Sequence, residues 1–245
     1  MIYTPIRYAG FLLAMAICAS AQAGIVLNTT RIIYPAQDKE VSFGVQNNGG
    51  EILLQSWLEA TAEEAGDLPF IITPALARMP GGSKQLLRIV YAGADMPEDR
   101  ESVFWLNVQE IPQVAAENAL QIAIRQRIKV FFRPVGLRDE PENATETLQW
   151  QLRKDVLHVN NPSSYHVSMV KLEVHDGTAQ VIKRASHMLA PKQSLELKLG
   201  TPASSRPLSL AFNSINDFGG QVAYRATLTG NQVATAAVAA KTDRR

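Results

Sequence analysis

Beyond residue 24 the apolar positions recur with period two, not with the three-to-four spacing of an amphipathic helix. Val41, Phe43 and Val45 alternate with Ser42, Gly44 and Gln46, and run into the turn residues Asn47, Asn48, Gly49 and Gly50. Residues 53–59 and 85–91 are further short apolar runs, and 103–111 is rich in strand formers until Pro112 closes it. In the second half, 167–175 alternates into a hairpin turn at Asp176 and Gly177. Strand patterns follow at 181–182, 194–199, 207–212 and 221–229. Short strands about ten residues apart, punctuated by Gly, Pro and Asn, predict an all-β chain built of β-sandwiches. An immunoglobulin-like sandwich takes about 100 residues, so the pattern predicts two of them.

The periodicity lapses over residues 133–147, which hold two prolines, one glycine and four acidic residues. The division between the sandwiches is expected there, close to Leu137, giving domains 24–137 and 138–238 with 239–245 as a loose tail. Residues 1–23 belong to neither. Arg7 is their single charge, 11–18 is an apolar run, and Ala21 and Ala23 flank Gln22. This is the layout of a secretory signal peptide cleaved after Ala23. Its apolar run is too short to cross a hydrocarbon core of about 30 Å. A lipoprotein signal fits less well, because bulky Ile17 precedes Cys18.

Composition then narrows the function. Of 245 residues, 46% are hydrophobic and 19% charged, which excludes a wholly disordered chain. The formal charge is +1, and removal of Arg7 with the leader leaves 23 groups of each sign in 222 residues. No global field draws nucleic acid, and no segment is expected to insert in a membrane. Cys18 is the single cysteine, so the exported chain must hold its cores without disulfides. No nucleophile elbow, dinucleotide loop or phosphate loop is present. His158, His166, His175 and His187 are spaced by 8, 9 and 12, make no pair on one helix face, and read as surface or strand histidines. Glu63 with Glu64, and Asp99 with Glu101, read as solvated loop pairs. The chain is therefore read as no enzyme, with no cofactor and no metal site.

One segment stands apart. Along 120–132 one face carries Leu120, Ile122, Ile124, Gln126, Ile128, Val130 and Phe132, and the other carries Gln121, Ala123, Arg125, Arg127, Lys129 and Phe131. As a single strand at about 3.3 Å per residue it would reach roughly 43 Å, about twice the usual length. On pattern alone it is either a long core strand with a charged outer face, or a strand half of which presents Leu120, Ile122 and Ile124 to a partner. An exposed apolar edge is an aggregation hazard unless it exists to pair with another chain.

The motif DRESVFWLNVQEIP at 99–112 resembles the signature of the periplasmic pilus-assembly chaperones of the chaperone–usher pathway, and IRQRIKVFFRP at 124–134 resembles that family's long G1 strand. TRIIYP at 30–35, LQSW at 54–57, PFIITP at 69–74, LRI at 87–89 and NDFGG at 216–220 extend the likeness over the whole exported chain, in order. The resemblance implies two immunoglobulin-like domains in a boomerang. It also implies binding of pilus (fimbrial) subunits, whose sandwich lacks its final strand, by donor-strand complementation, and delivery to an outer-membrane usher. Leu120, Ile122 and Ile124 would fill the subunit's groove. Arg31 and Lys129 match the cations that anchor the subunit's C-terminal carboxylate, and Glu101, Arg133 and Asp217 match an interdomain salt-bridge network. Arg88 matches a further family arginine to which no role is attached. Seven residues, 113–119, separate Pro112 from Leu120, which resembles the short-loop subfamily. Free protein of this kind can also cap its own strand by dimerising. Gln113, the stretch 74–78, the stretch 161–165 and Phe218 depart from the common pattern, and bear on which subunits are preferred.

Two rivals remain. A structural pilus subunit or adhesin is expected to be one domain of about 150 residues with a cysteine pair. A carbohydrate-binding module should gather its aromatics in one patch, whereas Trp57, Trp105 and Trp150 fall within strand patterns that read as core.

Overall fold

The computed structural model describes residues 24–61, 68–93, 96–114, 117–118, 121–200 and 206–239. The leader, Glu63 and Glu64, Leu120 and the end of the tail lie outside them. The first unit holds β1 (Ile25–Leu27), β2 (Arg31–Pro35), β3 (Glu40–Asn47), β4 (Ile52–Ala60), β5 (Phe70–Thr73), β6 (Leu76–Met79), β7 (Lys84–Tyr91), β8 (Ser102–Pro112) and β9 (Arg125–Arg133). The second holds β10 (Gln149–Arg153), β11 (Val156–Asn160), β12 (Val167–Asp176), β13 (Ala179–Leu189), β14 (Ser194–Lys198), β15 (Leu208–Ile215), β16 (Gln221–Leu228), β17 (Val233–Ala234) and β18 (Ala237–Val238). A single 3-10 turn at Pro141–Asn143 is the one helical element among the described residues.

Each unit is a sandwich of two sheets, as the period-two pattern predicts. In the first, sheet β1-β3-β7-β5 faces sheet β2-β9-β8-β4-β6. In the second, β14-β11-β10-β17 faces β13-β12-β15-β16-β18. Alternation does the work. On β8, Phe104, Leu106 and Val108 meet Phe43, Val45, Leu87 and Ile89 from the opposite sheet in one core. Tyr34, Phe70, Tyr91 and Phe132 close its lower end as an aromatic cluster with centroids 4.7–6.5 Å apart. A separate core surrounds Trp150, Leu157, Val174, Leu210 and Phe212. Burial of this extent gives both units cores that need no disulfide. The β12–β13 hairpin pairs Asp176 with Ala179, so its two-residue loop is Gly177 and Thr178, one position later than the pattern predicts, with Gly177 at φ +61°.

Two differences from the sequence reading matter for the site. First, 120–132 is not one long strand. The ladder with β8 ends at Gln109 opposite Arg125, and Gln121, Ile122, Ala123 and Ile124 lie outside it, held by the Glu110 N–H donating to the Ile124 carbonyl at 3.1 Å and by the Gln121 side chain donating to the Gln113 carbonyl. The reason lies in β8, where Pro112 removes a donor and closes the partner edge. Second, Trp57 and Trp105 are not core. Only Trp150 is fully buried; the other two lie on the outer face of the β8 sheet, Trp57 donating to Glu59 at 2.8 Å and Trp105 lying beneath the Arg127 guanidinium at 4.4 Å.

Candidate functional site

The candidate cleft residues collect where β2 and β9 run parallel. That pairing sets Arg31 opposite Lys129 and continues to Pro35 opposite Arg133. Directly paired residues share a face of a sheet, on strands about 4.8 Å apart. Ile32, Tyr34, Val130 and Phe132 therefore turn into the core, while Arg31, Lys129, Phe131 and Arg133 share the outer face, which meets the second unit. Positions nearly a hundred apart in sequence are neighbours by register alone.

Arg31 is half-buried. Its Nη1 donates to the Ile215 carbonyl of the second unit at 3.1 Å, its guanidinium lies 5.3 Å from the Phe131 ring centroid, and its Nε is buried without a partner. Burial lowers its pKa from the ordinary arginine value, with the charges of Asp217 and Glu101 working the other way. An arginine stays charged throughout, so it brings a fixed cation with spare donor capacity to the mouth of the cleft. Lys129 stands beside it, its ammonium 5.4 Å from the Trp105 ring centroid. Two cations on adjacent strands, one a planar fork and one a point charge, suit a carboxylate held by charge-assisted bonds.

Behind them is a polar cluster joining the units. Arg133 donates from Nε to Glu101 at 2.7 Å, and from both terminal nitrogens to Asp217, at 2.6 and 2.8 Å, in a two-pronged pair. Burial disfavours this guanidinium, but hydrogen bonds and charge from Asp217 and Glu101 outweigh it and hold its pKa above the ordinary range. Glu101 is 1% exposed, so its reading as a solvated loop acid is overturned; Asp99, with a side chain 73% exposed, keeps it. The free oxygen of Glu101 accepts from the His166 N–H and from His166 Nδ1, each at 2.9 Å. A carboxylate oxygen accepts, so Nδ1 carries the proton. His166 is itself buried, packed edge-on to Phe131 with centroids 5.9 Å apart. Sequence reasoning missed its part here, because a lone histidine after Tyr165 carries no spacing signal. Asp217 is presented by the β15–β16 turn, where the Asn216 Oδ1 accepts from the Gly220 N–H at 2.8 Å and Gly219 takes φ +81°. A Cβ on Gly219 would strike the Thr30 side chain, so the turn is pressed against the first unit. Phe218 at its tip is almost wholly exposed beside Arg31 and Ile215 in the cleft.

From the cleft, β9 leads outward. Arg127 pairs with Glu59 at 2.9 Å, and Arg125 lies exposed. Ile122 and Ile124 are 67% and 42% exposed. Parallel pairing with β2 begins only at Lys129, so among the described residues no strand occupies that side of β9 between Arg125 and Ile128. A cation-lined cleft thus continues into an apolar segment with an open backbone edge. No cluster of metal-ligating side chains occurs among the described residues.

Two joined sandwiches with an open strand and an anion-ready cleft define a two-domain immunoglobulin-like protein built to bind another chain, and comparisons place it more narrowly. Residues 24–138 match the family model described as pili and flagellar-assembly chaperone, PapD N-terminal domain, and residues 143–226 match pili assembly chaperone PapD, C-terminal domain. The chaperone protein FimB/FhaD of Bordetella pertussis is 39% identical over 234 residues, 89% of this chain and 94% of that protein. The chaperone protein FimC of Escherichia coli O6:H1 is 38% identical, over 84% of this chain and 85% of its own. Among solved structures, the YadV chaperone superposes with a TM-score of 0.71 at 34% identity, covering 84% of this chain and 100% of that one. A chain from the complex of Salmonella enterica SafA pilin with the SafB chaperone gives 0.70 at 27%, covering 86% and 99%. The chain belongs to the PapD family of pilus-assembly chaperones. That family is one of chaperones and not a known enzyme family, and the reading as a structural subunit or adhesin is not favoured.

Proposed function

We propose that the chain is a periplasmic chaperone that captures pilus subunits by donor-strand complementation and passes them to an outer-membrane usher. The observation that carries this reading is Ile122 and Ile124, exposed at alternate positions where β9 leaves its ladder with one backbone edge open. A subunit lacking its last strand has wet apolar surface and unpaired backbone groups, and a single strand answers both needs. Leu120, Ile122 and Ile124 are the donor residues. Arg31 and Lys129 hold the subunit's terminal carboxylate and so fix the register, because a slip of one residue would offer Gln121 and Ala123 in place of Ile122 and Ile124. The pairing of SafA pilin with the SafB chaperone in a similar structure supports a pilin as partner.

The finer assignments belong to the same reading. Glu101, Arg133 and Asp217 set the angle between domains 24–137 and 138–238. Residues 1–23 direct export and are removed after Ala23. The seven-residue connection 113–119 assigns the chain to the short-loop subfamily, and in the absence of subunits a second copy caps the open strand. Co-purification tests the core of it. A tagged copy expressed with a pilus operon should bring down subunits from periplasm, and Lys129→Ala should lose them while keeping its melting temperature. Undiminished recovery with Lys129→Ala would overturn the anchor; recovery of no subunit by the unmodified protein would overturn the function.

A further inference from the structure

Gly24 packs so closely on Glu110 of β8 that a Cβ built on it would overlap the carboxylate. Glu110 is 5% exposed, and its Oε2 is buried with no hydrogen-bond partner. An uncompensated carboxylate is among the least favourable groups to bury, and native folds pair such groups. The backbone around Gly24 is already fixed. Its carbonyl accepts from the Asn48 N–H at 2.8 Å, and the next carbonyl, of Ile25, accepts from Gln126 Nε2 on β9 at 2.6 Å.

The nitrogen of Gly24 is one bond from the Cα that the carboxylate crowds. While residue 23 is attached, that nitrogen is a peptide N–H with one fixed direction and no charge. Cleavage after Ala23 makes it an ammonium, whose three donors turn about the N–Cα bond. We propose that the α-ammonium of Gly24, freed by removal of the leader, closes an ion pair with the buried carboxylate of Glu110 and so completes this corner of the first sandwich. The inference rests on the cleavage site assigned under Proposed function.

Its consequence reaches the donor segment. Glu110 holds the start of β1 through its side chain, and through its own N–H it holds Ile124, where the donor residues leave the ladder. Gln126, two residues further on, ties β9 to Ile25. The precursor carries a neutral peptide bond at this point, and the mature chain carries the complementary charge. Glycine suits position 24 twice over: a Cβ there would displace the Glu110 carboxylate, and a small residue suits the cleavage site.

Intact mass of the protein recovered from periplasm is measured first. A product beginning at Gly24 is expected, and any other start overturns the cleavage reading and this inference with it. That product is then compared with a chain carrying one extra serine before Gly24, released from a tag, and with Glu110→Gln in each background. The mature protein should melt about 3–8 °C above the extended chain, and Glu110→Gln should abolish the difference. The α-amine, followed by NMR through the Cα of 13C-glycine-labelled protein, should titrate above the range of about 7.7–8.0 usual for chain termini. Equal melting of the mature and extended chains, or an α-amine titrating in the usual range, would overturn the pair even with cleavage at Gly24 established; the titration of unmodified protein decides the matter if Glu110→Gln does not fold.

Discussion

Ile122→Asp separates a donor residue from a core residue by arithmetic. Full burial of an isoleucine side chain returns about 1.5–3 kcal/mol. Ile122 is 67% exposed in the free protein, so about a third of that, roughly 0.5–1 kcal/mol, already stabilises the folded chaperone. The remainder, about 1–2 kcal/mol, is available only when a partner covers it. An aspartate entering an apolar groove forfeits that remainder and adds the penalty of an unpaired buried carboxylate, bringing the loss in the complex above about 3 kcal/mol. At about 1.4 kcal/mol per tenfold, capture should weaken by more than about a hundredfold. The melting temperature of the free protein should fall by no more than about 2–4 °C. Calorimetric melting of the variant, with titration of freshly refolded subunit, measures both quantities. Ile122→Val removes one methylene, about 0.8 kcal/mol at most, and should weaken capture only about fourfold. A fall of 8 °C or more in the free protein, or unchanged capture by Ile122→Asp, would refute the assignment.

Other consequences are simpler to test. Asp217→Asn removes the charge from the two-pronged bond to Arg133 and should widen the distribution of angles between the two units; small-angle scattering indistinguishable from the parent would count against the network. Asp139 lies in the connection between the units, and although its partial burial favours the neutral acid, the Ser164 N–H that it accepts at 2.7 Å holds its pKa below the ordinary carboxylate value. A depressed folded-state pKa means stability that is fully present above the unfolded carboxylate value and lost as pH falls through the folded one. Melting followed from pH 6 to pH 3 should therefore show a smaller acid-induced loss in Asp139→Asn than in the parent, and parallel curves would refute the contribution.

The period-two alternation made both sandwiches legible, because one face of each strand is core and the other is not. It misled where a sheet's outer face is also apolar: Trp57 and Trp105 satisfy the same pattern as Trp150, and only register reveals that they lie beside Glu59 and Arg127. The alternation from 120 to 132 was visible, but the end of the ladder at Arg125 was not, since it depends on how far β8 supplies partners. The cleft was legible only by resemblance. No local feature says that Arg31 faces Lys129; the parallel pairing of β2 with β9 does. His166 and Phe131 had no signal, because their roles arise between two units whose contact leaves no periodic trace in either sequence.

Capping of the open edge of β9 by a second copy works against a charge repulsion. Arg125 and Arg127 stand at alternate positions along that edge, with Lys129 where the pairing with β2 begins, so two copies pairing antiparallel would set cations against cations on one face. Like charges directly opposite destabilise a cross-strand pair by about 0.2–1 kcal/mol each, and Glu59 offsets part of this by pairing with Arg127 and interacting with Arg125. The backbone bonds and the apolar contacts of Ile122 and Ile124 work in favour of the dimer. Charge therefore sets the balance, and charge is screened over about 10 Å at 0.1 M salt but about 3 Å at 1 M. Sedimentation at fixed protein concentration should show a monomer at low ionic strength and a growing dimer fraction as salt rises. Arg125→Glu should reverse the trend by replacing one repulsion with an attraction that salt weakens. A dimer that persists unchanged from low salt to 1 M would mean that the copies pair through another surface, and the cations of β9 would then need a different explanation.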